Sequence, residues 1–292
     1  MRTDIMMVAR PFATRALAAC AGLAFAATAA MAAGEAPEIK RQAWSFSGVT
    51  GLYDKAQLQR GFQVYKEVCS ACHGLERIAF RNLVQKGGPE FPEEAVKQLA
   101  ATYKIKDDIK PDGKVAERDA KLADRFPALY ANENDARSIH NGALPPDLSV
   151  MARARNVEYH GSWYMHPLAM MKDIATAYQE GGTDYLYALL TGYTDPPKNV
   201  QMADGMNYNT AFPGNQIAMV NPFAGGDGQV EYKDGTPATV ANYSKDVSAF
   251  LSWTADPTLN QRKSTGWLVM LYLLITTVLL YVGKRIIWSK MH

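Results

Sequence analysis

Two thiols and an imidazole fall within five residues in Cys69-Ser70-Ala71-Cys72-His73. Thiols three residues apart on a helical turn reach the two vinyl groups on one side of a porphyrin and form thioethers with them. The adjacent imidazole is then carried beneath the ring to ligate iron, so the spacing is the attachment signature of a c-type haem. A redox-active dithiol would need a strand-to-helix βαβ setting, and a zinc site would need more thiolates or suitably spaced histidines. Neither accompanies this motif, and one covalent haem c with His73 on its iron is expected.

The second axial ligand is not fixed by spacing. Met151, Met165, Met170, Met171, Met202, Met206 and Met219 are candidates, and His140, His160 or His166 would give a bis-histidine iron. A ligating methionine belongs on a tight, irregular segment that folds against the ring, and Met219 lies between Pro213-Gly214 and Pro222. Most methionines nonetheless pack in cores, so the residues leave the choice open. Histidine–methionine ligation would raise the reduction potential and leave no open coordination site, as suits outer-sphere electron transfer.

The haem motif needs a helix to carry it. Asp54-Lys55-Ala56-Gln57 resembles a capping box, and Leu58, Phe62, Tyr65 and Cys69 follow at three- to four-residue spacing, which predicts a helix from Asp54 into the Cys69 region. Thr236-Pro237 reads as an N-cap with proline at the first helical position, leading into Val240, Tyr243, Val247 and Phe250-Leu251 on one face. The two apolar stripes are expected to pack together. Further helices are predicted over His166–Tyr178 and Asp184–Thr191. The middle is poor in β-pattern and rich in Pro and Gly, implying long connections around short helices. With no internal repeat, a single domain is the simplest organisation.

The two ends of the chain give its destination. Arg2, Arg10 and Arg15 precede an Ala-rich apolar stretch from Ala16 to Ala30, and Ala30-Met31-Ala32 is a small-x-small cleavage site, so residues 1–32 read as a secretory signal. Cys20 lies inside it, in Leu17-Ala18-Ala19-Cys20, which superficially matches a lipoprotein cleavage box; the apolar run continues past it to the better site. The exported haem domain is then 33–261, and 262–292 holds a membrane anchor with its span at about 266–283, flanked by Trp267 and by Tyr281 or Trp288. Lys284, Arg285 and Lys290 favour a cytoplasmic C-terminus. Net charge is +2 overall, but residues 33–261 hold 23 basic against 28 acidic side chains. That mild acidity argues against nucleic acid and favours a basic partner.

From about Ala43 to the C-terminus the pattern resembles the cytochrome c1 family of the bc1 complex, in its bacterial type. The resemblance is carried by Arg60-Gly61-Phe62-Gln63-Val64-Tyr65-Lys66 before the haem motif and by Asn141-Gly142-Ala143-Leu144-Pro145-Pro146-Asp147-Leu148-Ser149. It continues in Leu189-Leu190-Thr191-Gly192-Tyr193, Asp234-Gly235-Thr236-Pro237-Ala238-Thr239, and Lys245-Asp246-Val247 with Phe250-Leu251 and Trp253. It implies a mainly α fold, with a class I cytochrome c-like haem domain, long irregular connections and one C-terminal transmembrane helix. It also implies that Met219 is the axial methionine, that Arg155 pairs with a haem propionate, and that Asn141, Pro145, Pro146 and Tyr185 line the haem pocket. The implied role is a one-electron relay, with no substrate-transforming site of its own. Its donor would be the Rieske iron–sulfur protein, its acceptor a soluble or tethered cytochrome c, and cytochrome b a neighbour in a dimeric complex at the bacterial inner membrane, with the haem domain in the periplasm. Residues from about Asn156 to Gln179 read as an insertion relative to the mitochondrial form. Its Trp163, Tyr164 and Met170-Met171 suggest surface packing or contact with another subunit.

Overall fold

The computed structural model describes residues 37–109 and 115–290; the leader read over 1–32, with Cys20, lies outside them. Helix α1 (Lys55–Val64) starts where the Asp54 carboxylate accepts the Gln57 amide at 2.7 Å, satisfying one of the orphan donors of the first turn. The second half of the expected capping box does not form. The Gln57 side chain reaches instead to Asp246 Oδ1, 3.2 Å away on the helix it packs against. Beyond Val64 the chain widens into one π-helical turn, Tyr65–Cys69, closed by the Ser70 amide on the Tyr65 carbonyl. It delivers the two cysteines.

After a 3₁₀ turn at Phe80–Leu83 come α2 (Glu93–Ala101), an antiparallel pair β1 (Lys104–Ile109) and β2 (Val115–Asp119), α3 (Glu133–Ile139) and α4 (Met151–Ala154). A 3₁₀ turn at Trp163–Met165 then leads into α5 (His166–Thr176), and α6 (Gly181–Thr191) follows. A two-residue ladder pairs β3 (Asn207–Tyr208) with β4 (Gln216–Ile217). Last are α7 (Val240–Ala255) and α8 (Leu259–Trp288). The fold is mainly α, with long irregular connections.

The core lies where α7 is held between α1 and α6. Tyr243, Val247, Phe250 and Trp253 of α7 are essentially inaccessible to solvent, as are Leu58 and Val64 of α1. Phe250 meets Phe62 at 5.6 Å between ring centroids and Tyr65 at 6.0 Å. Gly61 makes the crossing possible: a Cβ there would run into the Asp246 carbonyl and the Phe250 side chain. At the same crossing Arg60 donates to Asp246 at 2.7 Å and to Asp234 at 2.8 Å.

The start of α7 differs from the expected one. Thr236-Pro237 does not cap it; Thr239 does, its hydroxyl accepting the Asn242 amide at 3.3 Å. The Pro237 carbonyl is occupied by the Thr239 amide and the Asn242 side chain, so 236–239 is a turn. The expected span of 266–283 lies within a longer helix, because α8 begins at Leu259 against the domain. Among the described residues α8 alone is long and apolar enough to cross a bilayer.

Candidate haem site

The site is built on the turn after α1. Cys72 and His73 both return their amides to the Cys69 carbonyl, at 3.1 and 3.0 Å, so the three side chains leave one tight turn. Both cysteines are free thiols and half-buried. Burial pushes the Cys69 thiol up to about 12. At neutral pH it is protonated, unlike the thiolate of a redox-active pair.

His73 is oriented by the backbone. Its Nδ1 lies 2.7 Å from the Pro146 carbonyl, and since a carbonyl only accepts, Nδ1 carries the hydrogen and Nε2 presents its lone pair. Burial lowers the imidazole's pKa, with the Pro146 carbonyl working in the opposite direction. The ring is therefore neutral, as a ligand must be. Pro146 is itself locked in place: Leu148 donates to the Gly74 carbonyl at 3.0 Å, Asp147 accepts the Glu76 amide at 2.7 Å, and Ser149 accepts the Arg77 amide at 3.1 Å. The segment 146–149 is thus laced to 73–77. Asn141 (φ +50°) and Gly142 (φ +87°) turn the chain into it through left-handed conformations. Asn141 is exposed at this bend, and Pro145 is half-buried beside the locked segment.

Three tyrosines to which the sequence assigned no place at the site brace its backbone. Tyr65 donates to the His73 carbonyl at 2.9 Å and Tyr130 to the Cys72 carbonyl at 3.2 Å; the Tyr130 hydroxyl also sits 2.7 Å from His140 Nε2. Tyr193 donates to the Met219 carbonyl at 3.1 Å. Tyr130 is 58 residues from Cys72, and no local pattern marks it.

Met219 lies half-buried against the core on the bend that leaves β4. Two left-handed residues, Gly214 (φ +76°) and Asn215 (φ +60°), turn the chain into β4. Tyr193 and Asn207, the latter at 3.4 Å, hold the Met219 carbonyl. The rival ligands are placed differently. Met165, Met170 and Met171 are exposed on the insertion, as are His160 and His166, while Met151 is buried in the core. Met202 is half-buried and Met206 exposed in the loop before β3.

Arg155 and Tyr185 line one cavity of about 290 Å³ together with Ile39, Asn156 and Phe212. Among the described residues no ion pair or hydrogen bond holds the Arg155 guanidinium, although Glu158 lines the same cavity. Tyr185 is buried beside it, and burial raises its pKa.

The donor set fits a covalent haem and fits little else. Two unpaired thiols and one neutral, correctly oriented imidazole share a turn, and among the described residues no group of three or more His, Cys, Asp or Glu side chains could hold a metal ion by itself. This is the arrangement of a c-type haem protein, carried on a membrane anchor. The chain matches the Cytochrome C1 family over residues 44–291. It is 49% identical to the Cytochrome c1 of Blastochloris viridis over 274 residues, 93% of this chain and 94% of that protein. It is 45% identical over 250 residues to the Cytochrome b/c1 of Bradyrhizobium diazoefficiens, covering 85% of this chain and 35% of that protein. It is also 43% identical over 246 residues to the mitochondrial Cytochrome c1 heme protein of Schizosaccharomyces pombe, 84% of this chain and 71% of that one. The chain belongs to the cytochrome c1 family. Its cofactor is a covalently bound haem c, and it is a membrane-anchored electron carrier of the bc1 complex.

Proposed function

We propose that the haem is attached through Cys69 and Cys72, ligated by His73 and Met219, and used to pass single electrons from the Rieske iron–sulfur protein to a soluble or tethered cytochrome c. The observation that carries this is the His73 ring, whose Nδ1 is committed to Pro146 so that Nε2 is left for iron. When bound, the haem supplies the one-electron iron couple. The chain's own residues do the rest. The Pro146 carbonyl sets the tautomer and raises the basicity of the imidazole. Met219 would supply the second iron ligand from a segment pinned by Tyr193 and Asn207. Arg155 offers its guanidinium to a propionate in the cavity it shares with Tyr185, while Asn141 and Pro145 shape the rim.

The mildly acidic domain suits a basic cytochrome c, for which long-range attraction gives fast, salt-sensitive association. The Bradyrhizobium relative carries both b and c1 in its name, which supports cytochrome b as the neighbour of α8 in a dimeric complex. We place the haem domain in the periplasm and the C-terminus in the cytoplasm.

The test is the ferric and ferrous spectrum of purified membranes, with and without carbon monoxide, beside stopped-flow oxidation of the reduced protein by cytochrome c at rising salt. Six-coordinate iron indifferent to carbon monoxide, with salt-slowed oxidation, is expected. Five-coordinate iron that binds the gas readily would point to a sensor or peroxidase instead.

A further inference from the structure

The insertion forms its own feature on the surface. Trp163 is 86% exposed and Tyr164 62%, and they lead into α5, where Leu168, Met171 and Ile174 recur three residues apart and are all exposed, Ile174 at 76%. The opposite side of α5 faces the domain. There Asp173 pairs with Arg41 at 2.8 Å, and Arg41 in turn covers the Tyr178 ring, 3.7 Å from its centroid. A helix that meets its own domain through a charged residue and turns its apolar stripe outward, with Lys172 exposed at the edge, reverses the usual amphipathic arrangement. Something apolar must cover it.

The place where α5 ends indicates what. Lys263, near the start of α8, donates to the carbonyls of Phe46, Gly48 and Gly51 at 2.7, 2.6 and 2.8 Å. That loop exposes Val49 and Leu52. Gly48 is also the residue that approaches α5: a Cβ on it would lie 3.8 Å from the Thr176 carbonyl. Lys263 is four residues, about 6 Å of helix, from Trp267, where the apolar span begins. The polar zone of a bilayer is about 5–8 Å deep on each side. The loop 46–51 and the end of α5 therefore sit at the level of the lipid headgroups.

We propose that the outer face of Trp163–Thr176 lies in the bilayer interface beside α8, as a second, monotopic contact with lipid. The composition agrees. Trp163 and Tyr164 are the side chains enriched at membrane–water boundaries, and Leu168, Met171 and Ile174 supply the apolar stripe. This rests on α8 spanning the membrane, and the test separates the two. Single cysteines replace Leu168, Met171 or Ile174 in the full haem-loaded chain carrying Cys20→Ala, so that each is the one free thiol. Leu274→Cys serves as the span reference and Glu94→Cys as the aqueous one. Each is spin-labelled, checked for an unchanged haem spectrum, and reconstituted into phosphatidylcholine–phosphatidylglycerol vesicles.

Labels on α5 are expected to collide with oxygen several-fold more than with a water-soluble nickel chelate, relative to the label at 94. Adding Met171→Glu should shift the label at 168 towards the aqueous pattern. If the α5 labels match the one at 94 while the label at 274 stays in lipid, the proposal falls and the anchor stands. An aqueous pattern at 274 would remove both. Labels that are water-accessible in vesicles and shielded from both reagents only in the assembled complex would assign the face to a protein subunit and overturn the lipid contact.

Discussion

The two sides of the haem site are built by different means. On the His73 side, the ligand's ring, its own carbonyl and three of the next four residues are hydrogen-bonded, to Pro146, Tyr65, Leu148, Asp147 and Ser149. On the side of Met219, the proposed second ligand, only the backbone carbonyl is held, by Tyr193 and Asn207, and the thioether has packing alone. A weakly hydrogen-bonding sulfur could not be fixed otherwise. One proposed ligand is thus set by directed bonds and the other by the path of a loop, so the second should be the one that yields under perturbation.

The largest break should come on the first side. Cys72→Ala leaves a single thioether and a disturbed turn, and we expect most of the covalent pigment to be lost, read as haem stain on a denaturing gel. Next in size, Met219→Leu should keep the covalent haem but give five-coordinate iron that binds carbon monoxide. Its midpoint should fall by a sizeable part of the roughly 0.8 V range that axial ligands command. Retained six-coordination at an unchanged potential would shift the ligand assignment elsewhere.

Smaller effects sharpen the contrast between the two carbonyl clamps. Tyr193→Phe and Tyr65→Phe each remove one hydrogen bond, worth about 1 kcal/mol. Only the first should loosen the methionine, seen as lower affinity of the iron for its sixth ligand when exogenous imidazole competes. If both variants bind imidazole equally, the asymmetry is wrong.

The smallest effect is electrostatic. The Arg118 side chain and the Lys121 amide hold the Asp124 carboxyl down at about 2, and the Thr236 amide with Arg60 does the same for Asp234, from an ordinary value of 3.8. A carboxylate whose folded pKa is depressed contributes stability that is fully present above the unfolded value and is lost as pH falls through the folded one. Urea midpoints should therefore drop modestly between about pH 4 and pH 2, and less so in Asp124→Asn. Asp234 faces solvent while Asp124 is half-buried, so salt should shrink the contribution of Asp234 more.

Much of this was legible in the chain, because the informative features are local. Asp54 caps α1 as expected, the stripes of α1 and α7 meet, α5 starts at His166, and the haem turn is complete in five residues. What escaped depends on distant partners. Helix α6 starts at Gly181-Gly182, three residues before the expected Asp184. Glycines argue against a helix start, yet here a Cβ on Gly182 would strike the Ala152 and Arg155 carbonyls. The β1–β2 hairpin was missed because its strands, such as Lys104-Ile105-Lys106, lack a consistent apolar face, and Lys104 pairs across to Asp119.

Asp256 sits in the short connection between α7 and α8, where Arg153 and Arg262 grip it from both sides at 2.8 and 2.7 Å. Arg153 belongs to the same short helix that leads to Arg155 at the cavity. The stalk is consequently tied to the segment that ends at Arg155. On the proposed reading, such a molecule would offer its electron at one height above the lipid and leave shuttling over distance to its acceptor.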